Sequence, residues 1–513
     1  MHTPTRLSLA TLTVAVLAFT ACENTVFVDR EPFNPPPDAA SGFLGYFTPA
    51  EKQTTCGNCH ADYQASWAET AHSHAWEDLQ ASGAAQASCN GCHTLTEHGN
   101  AVSTAAGYNA VADSAYHDVQ CENCHGPGLE HVEGVGQGQL VRPLAKISME
   151  GDANCGECHS GVHQPFAEEW AQSAHGGFIA SPASRSPCNS CHDGRATLLA
   201  WGVDHNYVER DQANAYQAVT CAVCHNPHGS SNSKQLRFAI NSPDPEQNLC
   251  MKCHIRRVEP AGGSSYGTSP HAPQGAVLLG IAGYRPPDFE YDTARIFGTH
   301  ATDRNPKLCA GCHVGRFEVT DAATGDFVFQ ATGHLFRPIP CVDAQGKPTA
   351  DNTCAYTETA RSWRTCTNAG CHGSAAAAAN IFNGAWDRLE DLADVLWIDV
   401  DNDETVEAAD QGYLAILKAT QAGEFAPDAT ITAAEGAEFN AKLCGPELYA
   451  NGDKSKGAHN IFLCEALLRA SIDQLQATYG LPAPPAAAQR ILDQPLGGKI
   501  AGAVQVSRTS LWK

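Results

Sequence analysis

Cys-x-x-Cys-His is written eight times in this chain: Cys56-Cys59-His60, Cys89-Cys92-His93, Cys121-Cys124-His125, Cys155-Cys158-His159, Cys188-Cys191-His192, Cys221-Cys224-His225, Cys250-Cys253-His254 and Cys309-Cys312-His313. With 23 Cys and 23 His in 513 residues, chance would supply roughly 0.05 copies. Two thiols at this spacing add across the two vinyl groups of a haem, and the adjacent His then lies under the iron as its proximal ligand. Zinc ribbons and thioredoxin-like pairs use Cys-x-x-Cys too, but neither requires a His after every copy.

A ninth site is expected at Cys366-Thr-Asn-Ala-Gly-Cys371-His372, where four residues separate the thiols. The extra two residues can bulge outward while the second Cys and its His keep their places, and Gly370 gives the backbone freedom to do so. The alternative makes Cys366 and Cys371 a disulfide and leaves His372 as a distal ligand. Nine sites are numbered here in chain order. The His of the first six fall at 60, 93, 125, 159, 192 and 225, an internal repeat of about 33 residues. So little chain per haem leaves the haems themselves as much of the core, packed closely enough for electrons to pass.

Nine irons with one His each need sixth ligands. Trp67-x-x-Thr70-x-His72 and Trp170-x-x-Ser173-x-His175 repeat one pattern, read as a short helix presenting an imidazole. His131 and His228 trail the third and sixth motifs, and His163 follows the fourth. His271, His300, His334 and His459 complete nine distal candidates. His74, which competes with His72, ranks lower, as do His98, His117 and His205.

These motifs, with Cys-Glu-Asn-Cys-His-Gly-Pro-Gly from Cys121, resemble the bacterial multihaem cytochromes c of periplasmic and extracellular electron transfer, from about Thr48 to Cys371 and again around His459. The resemblance implies bis-histidine, low-spin haems and a role as an outer-membrane conduit or a subunit of a cytochrome filament. Relatives that reduce or oxidise small nitrogen compounds keep one iron open or Lys-ligated; Cys-x-x-Cys-Lys is absent here. An electron carrier is therefore expected over a reductase of a small inorganic substrate. Redox partner proteins or extracellular acceptors are the expected partners, with a homo-oligomer or filament as an assembly reading.

Arg6, the apolar run Leu7–Phe19 and Phe19-Thr20-Ala21-Cys22 read as an export signal (residues 1–21) followed by a lipidated Cys22. Residues 22–47, with Pro35-Pro36-Pro37, read as an extended tether from a membrane anchor. Residues 48–375 form the haem region. The formal charge of −24 speaks against nucleic acid as a partner. The fold expected is mostly irregular, with short α-helices, little β-sheet and a helical C-terminal region (376–513), where Trp386, Leu389, Leu392, Ala393 and Leu396 recur at helical spacing.

Within that region Asp399, Asp401, Asp403, Thr405, Glu407 and Asp410 occupy alternate and final positions of an EF-hand-like or dockerin-like loop, with Glu404 where Gly is usual. Calcium is the ion such hard oxygen ligands suit; the alternative is an acidic solvated turn. Cys341 with Cys354, and Cys444 with Cys464, are disulfide candidates for an oxidising compartment.

Overall fold

The computed structural model describes residues 35–497, apart from 136, 139, 205, 213–214, 288, 290–298, 302–303, 369–370 and 447. The export signal, Cys22, His205 and Gly370 lie outside the described residues. The chain is largely irregular, with short helices and, among the described residues, two two-stranded antiparallel hairpins. The first pairs β1 (Tyr46–Thr48) with β2 (Gln53–Thr54). The second pairs β3 (Phe317–Thr320) with β4 (Phe327–Ala331), Val319 standing opposite Phe329.

The two Trp motifs fold alike. Helix α1 (Ala61–Ala68) and helix α2 (Phe166–Ala171) each end just past the Trp. There Thr70 and Ser173 turn their hydroxyls onto the carbonyls of Trp67 and Trp170, at 2.8 and 2.7 Å, an interaction that competes with further helix. Each indole then reaches across the chain. Trp67 Nε1 donates to the Val119 carbonyl at 2.9 Å, and Trp170 Nε1 to that of Val219 at 2.8 Å. Val119 and Val219 both stand two residues before a haem-motif Cys, so each indole ties one motif's helix to another motif two sites further on.

The expected tether ends sooner than residue 47. From Asp38 the chain is packed: the Asp38 amide donates to the Tyr116 hydroxyl at 2.8 Å, and Phe43, Leu44 and Tyr46 are buried. The amides of Leu44, Gly45 and Gly128 converge on the buried Glu122 carboxylate at 3.0, 2.8 and 2.7 Å. Burial pushes the Glu122 carboxyl up to about 7 even though these three donors pull it down.

The C-terminal region is helical as expected: α3 (Ala375–Leu396), α4 (Tyr413–Thr420), α5 (Ala433–Cys444), α6 (Ile461–Tyr479) and α7 (Ala486–Leu492). Ser374 caps α3 by accepting from the Ala377 amide. Thr432 and Glu435 form a reciprocal capping box on α5, and Gly480 closes α6 at φ +66°, a left-handed turn that favours glycine. The apolar faces of α3, α5 and α6 share one core with Leu414, Leu417, Trp397 and, from the haem region, Ala276, Val277 and Ala282. A buried Glu465 inside it receives Arg388 Nε and Nη2 at 2.7 Å each and Arg469 Nε at 2.8 Å.

Cys341 and Cys354 are joined as a disulfide, Cα atoms 6.0 Å apart. Cys444 at the end of α5 and Cys464 in α6 are both buried, their thiols within hydrogen-bond reach of one another but unbonded.

Candidate functional site: paired imidazoles across the haem motifs

At seven of the eight short motifs the segment runs as a single turn of 3-10 or α-helix ending at or near the His. That turn brings the two thiols to one side and turns the imidazole beneath them. At five proximal rings Nδ1 faces a fixed partner: Ala75 O for His93 (3.0 Å), Pro143 O for His125 (2.9 Å), Lys234 O for His225 (2.7 Å), Phe336 O for His313 (2.9 Å) and Gln274 Oε1 for His254 (3.4 Å). Such a bond fixes the tautomer and aims Nε2 outward as the ligating atom.

Opposite seven of the eight Cys-x-x-Cys-His rings, and opposite His372, stands a second imidazole. The pairs are His60 with His131, His125 with His228, His159 with His72, His192 with His271, His225 with His334, His254 with His175, His313 with His459 and His372 with His300. Their ring centres are separated by 6.0 to 6.4 Å. Two metal–imidazole bonds of about 2.0 Å, each extended by about 1.1 Å from the nitrogen to the ring centre, require about 6.2 Å. The spacing is too wide for ring stacking and fits one iron between each pair, so the residues present fit haem.

No pair is drawn from a motif and its own trailing His. His131 follows the third motif and faces the first; His228 follows the sixth and faces the third. His72, delivered by α1, faces site 4, and His175, just past α2, faces site 7. Distal rings are oriented like the proximal ones: His131 Nδ1 on Val141 O at 2.7 Å, His300 on Ala458 O at 2.6 Å and His334 on Thr332 Oγ1 at 3.2 Å. His459 differs in its partner: its Nδ1 donates to a carboxylate, Asp453 Oδ1, at 2.6 Å. Its burial disfavours the charged ring, but the Asp453 charge outweighs that and raises its pKa. Burial, aided by the facing imidazole, pushes His72, His175, His228, His313 and His334 down to about 4, so these rings stay neutral and able to ligate at ordinary pH.

Eight of the nine expected distal candidates thus face the His of a haem motif or His372. The ninth, His163, is exposed and stacks on Phe327 at 4.8 Å with the planes 9° apart. Four residues of chain past His159 are too few to pass round a macrocycle, and the β3–β4 hairpin offers the ring an apolar platform instead. Among the described residues no imidazole ring faces His93. His117 stacks on Trp76 at 4.2 Å, and His74 Nδ1 lies 3.5 Å from Glu77.

In the acidic loop Asp399, Asp401 and Asp403 bring carboxylate oxygens within 4.8 Å of one another. Glu404 takes φ +65°, making the turn expected of Gly. Asp410 does not join them: it accepts from Trp397 Nε1 at 2.9 Å and from the amides of Val400 at 3.1 Å and Glu407 at 2.9 Å. Glu407 is likewise not among the three clustered carboxylates, and the Thr405 amide donates to Asp403 Oδ1 at 2.7 Å.

Two family models match the chain: the doubled CXXCH motif over residues 214–258, and cytochrome c554 and c-prime over residues 55–126. The chain is a bacterial multihaem c-type cytochrome. Among curated relatives, this cytochrome is similar to the C-type polyheme cytochrome OmcB of Geobacter sulfurreducens, 26% identical over 296 residues, which are 52% of this chain and 36% of that one. It is also similar to the multiheme cytochrome MtrA of Shewanella baltica, 25% identical over 192 residues, covering 34% of this chain and 54% of that one. The cytochrome therefore spans about a third of the length of OmcB and about half that of MtrA. No solved structure matches it. Among the described residues no helix is long and apolar enough to cross a membrane.

Haem supplies the one-electron chemistry; the polypeptide supplies attachment, two imidazoles per iron and their orientation. A haem held between such a pair would have a His on each side of its iron and would offer a substrate no open position.

Proposed function

We propose that this cytochrome carries electrons through nine covalently attached haems, eight on Cys-x-x-Cys-His and one on Cys366, Cys371 and His372. One observation carries the reading: eight imidazole pairs at the same spacing, each joining two separate stretches of chain. Such cross-ligation locks consecutive sites together and is what a relay needs. Support for the ninth haem is that His372 faces His300 at 6.2 Å as the other pairs do. Intact mass of the purified holoprotein tests the count. A mass of nine haems is expected; eight, with Cys366 linked to Cys371, rejects the ninth site.

The Cys22 sequence supports an exported protein held by lipid at the outer membrane, and the likeness to other multihaem cytochromes supports work with redox proteins or extracellular acceptors. Replacing Cys22 with Ser should release it from membranes, and unchanged membrane association would place the anchor elsewhere. A calcium ion on Asp399, Asp401 and Asp403 is a lesser part of the proposal. Metal analysis after dialysis against chelator should find calcium in the parent protein and less in Asp401→Ala.

A second reading, reduction of a small inorganic substrate, is favoured by one observation only, the missing imidazole opposite His93 among the described residues. It requires a high-spin or ligand-binding iron at site 2, visible in the oxidised spectrum.

A further inference from the structure

The nine sites do not follow one another in space as they do in sequence. Cys56, Cys89 and Cys121 recur ninety-nine or a hundred residues on as Cys155, Cys188 and Cys221. Trp67, Thr70 and His72 recur as Trp170, Ser173 and His175 with the same hydrogen bonds. The unit that repeats is thus three sites long: 1, 2, 3 and then 4, 5, 6. Each unit's Trp motif supplies its His to the first site of the next unit, His72 to site 4 and His175 to site 7.

Contacts between motifs obey the same repeat. Within a unit the first and third sites adjoin: the Trp67 indole, on the helix after the first motif, holds the Val119 carbonyl two residues before Cys121, and the Trp170 indole holds that of Val219 before Cys221, with Cys56 near Cys121 and Cys155 near Cys221. The third site then lies beside the first site of the next unit, Cys124 near Cys155 and Cys158, and Cys224 near Cys250 and Cys253. Beyond site 7, Cys250 touches Cys309, and Cys312 lies near Cys366 and Cys371. The second site of each unit does something different. Cys92 lies near Cys158 and 3.9 Å from the Glu157 carbonyl, while the Gly99 amide donates to the Glu157 carboxylate. Cys191 lies near Cys253, and Arg256 Nη2, two residues past the seventh motif, lies 3.9 Å from the Cys191 sulfur. At both second sites the thiols run forward, to the first site of the next unit, while the residue after the motif His is tied back to the third motif of its own unit or the chain just before it: Asn123 Nδ2 donates to the Thr94 carbonyl at 3.1 Å, and the Gln217 amide to Asp193 Oδ1 at 2.8 Å.

We propose that the relay is branched: electrons run along sites 1, 3, 4, 6, 7, 8 and 9, and sites 2 and 5 are side arms that join the line at sites 4 and 7. Each transfer oxidises one ferrous iron and reduces its ferric neighbour, so the line needs no other redox group. The arms give the protein two lateral exchange points, besides its two ends, where a soluble redox protein could load or unload electrons. This rests on the electron-transfer reading above and adds the order of the sites.

Electron cryo-microscopy of the holoprotein tests the order directly, after intact mass has fixed the number of haems. The result expected is macrocycle contact between sites 1 and 3, 3 and 4, 4 and 6, and 6 and 7, with 2 set beside 4 and 5 beside 7. A full complement of haems with site 5 lying between 4 and 6, or site 2 between 1 and 3, overturns the branching while leaving electron transfer intact. A missing complement strikes the function instead. A second experiment uses the conductance of single holoproteins held between electrodes by tags at the two ends. Loss of site 5 in Cys188→Ser/Cys191→Ser should leave it unchanged within error, and loss of site 4 in Cys155→Ser/Cys158→Ser should cut it by an order of magnitude. Equal losses in the two variants overturn the proposal. If either variant fails to mature, the order seen in the parent protein decides.

Discussion

The haem region and the C-terminal helices solve the problem of a core in different ways. Between Phe43 and Leu308, apart from Ala276, Val277 and Ala282, which join the C-terminal core, the clustered buried apolar side chains fall into separate small groups: Phe43, Leu95, Ala106 and Tyr116; Ile147, Leu198, Tyr207 and Val223; Met251, Leu278, Leu279 and Leu308. From Leu389 to Ile491 one continuous cluster runs through five helices. Small separate groups cannot offset the conformational entropy of so long an irregular chain. What fills the space between them is lined by paired imidazoles and thiols, and that space belongs to the haems. The C-terminal helices hold a conventional core and lend the relay one ligand, His459.

The sharpest break of this contrast comes from withholding haem. Expressed where haem attachment does not occur, the chain should lose the structure of residues 48–340, while α3 to α7 keep their helical signal. Limited proteolysis should leave a helical C-terminal fragment and little else. Equal digestion of both regions would show that the two do not differ in this way.

Next in size is the reverse experiment, damage to the helical core alone. Glu465→Ala strands Arg388 and Arg469 in a buried site, and breaking such a pair costs about 3–5 kcal/mol. Chemical denaturation of the holoprotein followed by far-ultraviolet dichroism should show that loss, with the haem bands unmoved until the helices have melted.

A smaller effect is expected where the regions meet. The Asp453 carboxylate strengthens His459 as a ligand, which favours the ferric iron and lowers the potential at site 8. Asp453→Asn should raise one midpoint potential in a spectroelectrochemical titration and leave the others in place.

The smallest effect lies inside the haem region. Burial raises the Glu122 carboxyl to about 7 from an unfolded value of about 4.3. A raised pKa means that the folded state holds the proton more tightly. Its contribution is complete below about pH 4.3 and is lost as pH rises toward 7. Glu122→Gln should flatten that slope in thermal unfolding and gain relative to the parent above pH 7.

Attachment sites and most ligands were legible in the sequence because thioether chemistry demands a fixed local pattern and because Trp-x-x-Ser/Thr-x-His is a local fold with its own hydrogen bonds. Which imidazole serves which iron was not legible. His228 stands three residues after His225, yet it faces His125, since so short a loop cannot pass round a macrocycle to the other side of its own iron. Asp453 was missed for a similar reason: nothing local marks a carboxylate six residues before a His as its partner. The acidic loop misled at its last position, where Asp410 is held by the Trp397 indole and two amides that no spacing rule foretells.

The contrast between the regions stands on the proposal that eight irons sit between the paired imidazoles, and electron paramagnetic resonance of the fully oxidised holoprotein measures that most directly. Integrated against the total iron, the spectrum should assign eight of nine haems to low-spin, bis-imidazole signals, with site 2 alone free to differ. High-spin signal from several haems would mean that the paired imidazoles do not close on iron, and the account of the haem region would fail.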